Sequence, residues 1–176
     1  LIQPMVAKRI LPFLGGTPAV WNTCMVFYQA TLLAGYLYAH ATSWLSVRRQ
    51  TILHAMLLLL PLLVLKLPIE VDVSRLESSI DAPIISLLTV LILSVGLPFF
   101  VVSTTGPLLQ KWFATTESPG AKDPYFLFGA SNLGSMLALL GYPMFIERYL
   151  PLQSQSSLWA AGYIVFMVLT IGCAAW

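Results

Sequence analysis

Two histidines are the first residues to weigh, because neutral imidazole is a good metal ligand. His40 closes one apolar stretch and His54 opens the next, which sets both near one membrane face across a tight hairpin. Either is a candidate cofactor ligand, to the metal of a haem or a chlorophyll. The first expectation for both is nevertheless an interfacial histidine hydrogen-bonded to headgroups or loop carbonyls, with no cofactor, and metal ligation is the second. No further Cys, His or carboxylate clusters with them, so no metal centre is predicted. Serines are plentiful, but no G-x-S-x-G elbow occurs. Phosphate-cradling G-x-x-x-x-G-K-[ST] and G-x-G-x-x-G patterns are missing too. Paired carboxylates do not occur inside the apolar stretches, and no catalytic centre is visible.

Polar groups inside apolar stretches are the stronger functional candidates, since intramembrane ionisable residues usually face a cavity or a partner. Lys8 and Arg9 stand between Pro4 and Pro12. Lys8 is expected either to line a polar cavity and bind an anion or a carboxylate, or to anchor at the interface by snorkelling. Gln3, Asn22, Gln29, Ser131, Asn132 and Ser135 are expected to form an interhelical hydrogen-bond network, as glue or as a solute path. Glu147-Arg148 reads as an interfacial ion pair.

The solvent that makes these groups unusual is a bilayer. The chain has 176 residues, 58% hydrophobic and only 9% charged, against about 45–50% and about 25% in soluble domains. That balance excludes an ordinary soluble domain and a disordered chain. A net charge of +2 is too small for a nucleic-acid footprint. Asp, Glu, Lys and Arg are absent from Ile10 to Val47, Gln50 to Leu65, Ala82 to Gln110, Pro124 to Ile146 and Tyr149 to Trp176. A helix crosses a bilayer in about 20 apolar residues, and lipid-exposed backbone must be helical or in a closed barrel. Blocks such as Leu57-Leu58-Leu59-Leu60 favour helices over barrel strands.

The expected fold is therefore an all-α integral membrane protein, a single domain of about six transmembrane helices. The spans are Leu1–Leu14 (truncated), Ala19–Trp44, Thr51–Leu67, Pro83–Ser103, Pro124–Phe145 and Ser157–Trp176. Lys66 would snorkel at the end of the third. Thr17-Pro18 and Asp123-Pro124 place a capping oxygen before a proline at the first helical position. Asp81 before Pro83 is a looser version, and Ser154 and Ser156 are cap candidates for the last span. Pro98 should kink its helix against the carbonyl of Ser94. Gly106-Pro107 should end that element, leaving Pro107–Thr115 as a short interfacial helix. The chain opens on Leu and has no polar stop after Trp176, which suggests a piece of a longer protein. Cys24 and Cys173 fall in opposite leaflets and should be free thiols. Ala130, Gly134 and Ala138 form a small-xxx-small row suited to close helix packing. Packing within the chain is the first expectation for it, and a dimer interface the second. Arg48-Arg49 is placed in the cytoplasm and the acidic 68–82 segment outside.

Several motifs carry a family resemblance. They are Gln3-Pro4-Met5-Val6-Ala7-Lys8 with Leu11-Pro12 and Leu14-Gly15-Gly16; Val20-Trp21-Asn22-Thr23-Cys24; Gly96-Leu97-Pro98-Phe99-Phe100 through Ser103-Thr104-Thr105; Asp123-Pro124-Tyr125-Phe126 with Ala130-Ser131-Asn132-Leu133-Gly134-Ser135; and Gln155-Ser156 with Leu158-Trp159. Together they resemble the membrane region of bacterial fused MFS-type/spermidine-synthase-like proteins. The resemblance implies a helix bundle akin to half of a major facilitator transporter, in the bacterial cytoplasmic (inner) membrane. The fused proteins continue into a synthase-like soluble domain, whose Gly-rich turn and acidic pair have no counterpart here. Ala39-His40 stands where the loop motif of that transporter class has an acidic residue.

Three functions follow as expectations. The first is a non-catalytic membrane subunit packed against other membrane-protein subunits or a second copy. The second is a transporter-like half binding a small solute between helices, with Lys8 and Gln29 facing a cavity. The third is the membrane anchor of a spermidine-synthase-like enzyme.

Overall fold

A computed structural model describes residues 2–65, 67–69, 71–72 and 82–175. These residues form helices and loops, with no strand among them. The helices are α1 (Ile2–Leu14), α2 (Pro18–Ala41), α3 (Val47–Val64), α4 (Pro83–Ala114), α5 (Phe126–Gly141, continued by a π turn at Tyr142–Ile146 and by Glu147–Tyr149) and α6 (Leu152–Ala175). Three of them, α3, α4 and α6, are long and apolar enough to cross a membrane. α1 has 13 residues, roughly 20 Å at 1.5 Å per residue, short of the ~30 Å hydrocarbon core. Asn22, Gln29 and His40 dilute the hydropathy of α2, and the π turn interrupts α5.

Capping sets the start of α2 as its sequence implies, with Val20 N–H donating to Thr17 Oγ1 over 3.4 Å. Gly15 ends α1 in the left-handed region, at φ 71°, its N–H donating to the carbonyl of Leu11. Asp123 differs from expectation. Its Oδ1 accepts from Tyr125 N–H, and the helix begins only at Phe126. α6 starts at Leu152, so Ser154 and Ser156 lie inside it and do not cap it. α3 starts at Val47, which puts Arg48 and Arg49 in its first turn and not in a loop. Lys66, Asp81 and most of the acidic segment lie outside the described residues.

The largest correction concerns α4. Helix continues through Gly106-Pro107 to Ala114, and 107–115 is not a separate interfacial element. Leu87, Val90, Leu91, Val95, Val101, Thr104, Thr105, Leu108 and Trp112 make one buried stripe along it. Packing of that stripe outweighs the lost N–H of each proline. The Pro98 distortion takes the form of a π turn at Ile92–Gly96 immediately upstream. A wider turn of this kind relieves the crowding a proline ring imposes on the preceding turn.

The main core joins Met5, Val6 and Ile10 of α1 with Phe27 and Tyr28 of α2 and with the first half of α4. Ile2, Met5, Val6 and Ile10 repeat at helical spacing, the expected single buried face. A second, smaller cluster joins Ala39 to Leu108 and Trp112. Between the two, α2 and α4 touch at Gly35. A Cβ there would fall on the Ser103 hydroxyl and within 3.1 Å of Ser103 Cβ. Gly35→Ala should therefore lower stability by about 1–3 kcal/mol, the usual cost of overpacking. Thermal unfolding in detergent checks this, and adding Ser103→Ala should recover part of the loss.

Candidate functional site

Polar side chains gather at the two ends of the bundle. At the α2–α3 end, Gln50 and His54 are fully buried, at 0% exposure each. They share one face of α3 with Leu58, at i, i+4 and i+8. Gln50 Nε2 donates to Thr42 Oγ1 over 3.1 Å, and Trp112 Nε1 donates to Gln50 Oε1 over 2.9 Å. One amide thus ties the end of α2 to α3 and α4. His54 Nε2 lies 3.0 Å from Thr105 Oγ1, which is also within hydrogen-bond reach of the carbonyl of Val101. With the hydroxyl proton on Val101 O, Thr105 accepts from an Nε2–H of His54; with that proton directed to Nε2, the roles reverse. His54 Nδ1 and the Tyr38 hydroxyl are buried without a partner. The His54 ring packs edge-on to Trp112 and tilted against Tyr38.

At the opposite end, Lys8 Nζ meets Glu147 Oε1 at 3.0 Å, with both side chains 42% exposed. Arg9 donates to the carbonyls of Ile69 and Leu152. Ser156 Oγ donates to Ile69 O over 2.7 Å, and the Tyr142 hydroxyl to Gln155 Oε1 over 2.9 Å. The expected Glu147–Arg148 pair is replaced. Glu147 turns to Lys8, and the Arg148 guanidinium sits 5.7 Å from the Tyr149 ring centroid.

Two cavities collect the residues singled out in the sequence. One, of 760 Å³, lies between α1, α5 and α6 and is lined by Gln3, Lys8, Trp21, Ser135, Tyr142 and Glu147 among others. Lys8 does both things expected of a cavity lysine: it lines this space and binds a neighbour's carboxylate. The other, of 480 Å³, is lined by His40, Gln110, Ser131 and Asn132. Asn22 and Gln29 are exposed on α2 and line neither. The six amides and hydroxyls expected to form a network make no interhelical hydrogen bond among the described residues. All six are exposed, five of them on α2 or α5, and Ser131, Asn132 and Ser135 face open cavities and not a packed neighbour.

His40 and His54 are not brought to one ligand. His40 is exposed at the 480 Å³ cavity, whereas His54 is enclosed by protein. Both cysteines are free thiols, Cys24 buried and Cys173 exposed. Among the described residues no three His, Cys, Asp or Glu side chains gather as metal ligands.

Gln50 and Trp112 escaped sequence reasoning, although Gln50 sits on the same helical stripe as His54, Leu58 and Pro61. Gln50→Leu strands the Trp112 N–H and should cost about 1–2 kcal/mol. Adding Trp112→Phe removes that stranded donor, so the double variant should unfold at a higher temperature than Gln50→Leu alone. No family model, curated protein or solved structure matches this chain.

Proposed function

We propose that the chain is a non-catalytic, multi-pass subunit of a bacterial cytoplasmic membrane, completed by helices of a neighbouring membrane protein or a second copy. The observation that carries this reading is α5. None of the 16 residues from Phe126 to Gly141 is buried. The Ala130-Gly134-Ala138 row has no neighbour over Gly134, where a Cβ would meet nothing within 4 Å. The helix carries the small residues that close packing needs, and among the described residues no helix packs over Gly134. The resemblance to the membrane half of fused MFS-type/spermidine-synthase-like proteins supports an incomplete bundle.

The distribution of charge supports a topology. Arg48, Arg49, Lys111 and Lys122 lie at the α2–α3 end, and Lys111 Nζ donates to Ser43 O over 2.7 Å there. Lys8, Arg9 and Arg148 lie toward the other end, so the cation count alone does not decide; the four acids of the 68–82 segment, which is easier to translocate, favour that segment outside and Arg48-Arg49 in the cytoplasm.

A transporter-like half is the second reading, favoured by Lys8 on the 760 Å³ cavity. Gln29, the other residue such a path needs, faces away from it, so we place this reading second. The anchor reading has the resemblance alone in its favour.

Gly134→Leu discriminates. The site is open within the chain, so the variant should fold with an unchanged melting temperature, yet a leucine there blocks close helix approach. Native mass spectrometry in mild detergent should show the wild-type chain in a stoichiometric assembly and the variant released from it. A fully functional, monodisperse wild-type monomer would sink the proposal.

A further inference from the structure

A groove with a charged mouth opens at the α5–α6 end. The 760 Å³ cavity and a neighbouring one of 450 Å³ share Val102, Tyr142 and Trp159 in their walls, so they lie side by side. The walls of the second are aromatic and aliphatic: Met5, Leu158, Trp159, Gly162, Tyr163 and Phe166. Along α6 the lining runs from Gln155 to Phe166, roughly 16 Å at 1.5 Å per residue. That is about half the ~30 Å hydrocarbon core, the depth of one leaflet. At the mouth stand Lys8 and Glu147, paired at 3.0 Å.

We propose that this groove binds one phospholipid with a zwitterionic, ammonium-bearing headgroup, of the phosphatidylethanolamine type. The acyl chain lies against Trp159 and Phe166, and the headgroup bridges Lys8 and Glu147. Charge complementarity selects the headgroup. The Lys8 ammonium spends one of its three donors on Glu147 Oε1, leaving two for a phosphate. Glu147 keeps its second oxygen for a ligand ammonium. A zwitterion satisfies both ends of the pair. An anionic headgroup satisfies Lys8 and sets a negative charge beside Glu147. The inference requires a bilayer around the chain, and Ala138 both lines this cavity and belongs to the small-residue row of α5; the test below reads bound lipid and not assembly, so its failure is distinguishable from that of the subunit reading.

Native mass spectrometry with synthetic dioleoyl phosphatidylethanolamine or dioleoyl phosphatidylglycerol added to the detergent-purified chain tests it. One phosphatidylethanolamine per chain is expected, favoured over phosphatidylglycerol by about three- to fivefold, the size of one partly exposed ion pair. Glu147→Gln should abolish the preference while lipid still binds. Gly162→Leu fills the groove at a position where a Cβ meets nothing within 4 Å. It should lower retention of both lipids without changing the melting temperature. Equal retention of the two lipids by the wild-type chain overturns the proposal. So does an unchanged preference in Glu147→Gln, or undiminished binding in Gly162→Leu. Displacement of bound lipid by a second copy would assign the groove to a helix instead.

Discussion

In a bilayer, lipid tails solvate an apolar helix face as well as another helix does, so apolar contact alone does not hold helices together. Close approach and polar bonds must supply the difference. This constraint decides which contacts matter here. α2 and α4 meet where Gly35 removes a side chain in front of Ser103. Gln50 then pins the same pair at one end through Thr42 and Trp112. At the other end Arg9, Ser156 and Gln155 tie α1, α6 and the segment at Ile69 through backbone carbonyls. The ends of the bundle are bracketed by hydrogen bonds, and in its middle the Tyr163 hydroxyl of α6 donates to the Leu58 carbonyl of α3 over 2.9 Å.

The brackets also explain how prolines persist in long helices. Each removes one backbone donor and crowds the preceding turn. In water that is enough to break a helix. In lipid an unwound turn exposes carbonyls with no solvent to satisfy them. α4 resolves the conflict by widening one turn ahead of Pro98 and by running straight on through Pro107 as regular helix. α5 widens at Tyr142–Ile146 around Pro143 in the same way. That second π turn sits directly beside Glu147, so the backbone irregularity and the ion pair with Lys8 fall on the same stretch.

Much of this was legible in the sequence, and the failures have a common cause. Gaps in charge and the Thr17-Pro18 cap located α1, α2 and α3 to within about four residues, whereas α4 runs 11 residues beyond its expected end at Ser103. Gly106-Pro107 was misread because local propensity says nothing of the stripe from Leu87 to Trp112 that buries against α2 and holds the helix together. Lys8 stands out in the sequence as a cation among apolar residues, and it meets the Glu147 carboxylate. Its partner is 139 positions away, and no local pattern names it. Gln50 was passed over because it borders Arg48-Arg49 and looks like part of a polar helix start. Only the tertiary fold brings it under Trp112. Asn22, Gln29, Ser131 and Asn132 were over-read: a polar residue in an apolar run signals a partner, and the chain alone does not provide one for them.

That last failure bears on what kind of molecule this is. A self-sufficient bundle would turn its amides inward and its small residues against a neighbour. Here α2 and α5 do the reverse along the faces that carry Gln29, Ser131 and Gly134, while α1, α4 and α6 send Arg9, Trp112 and Ser156 into hydrogen bonds. Polar and small residues are costly to leave facing lipid, the first through unmet hydrogen bonds and the second through lost contact. That contrast is what supports the proposed subunit role, in which a further helix packs against α5, across from the ion pair that fastens its far end to α1.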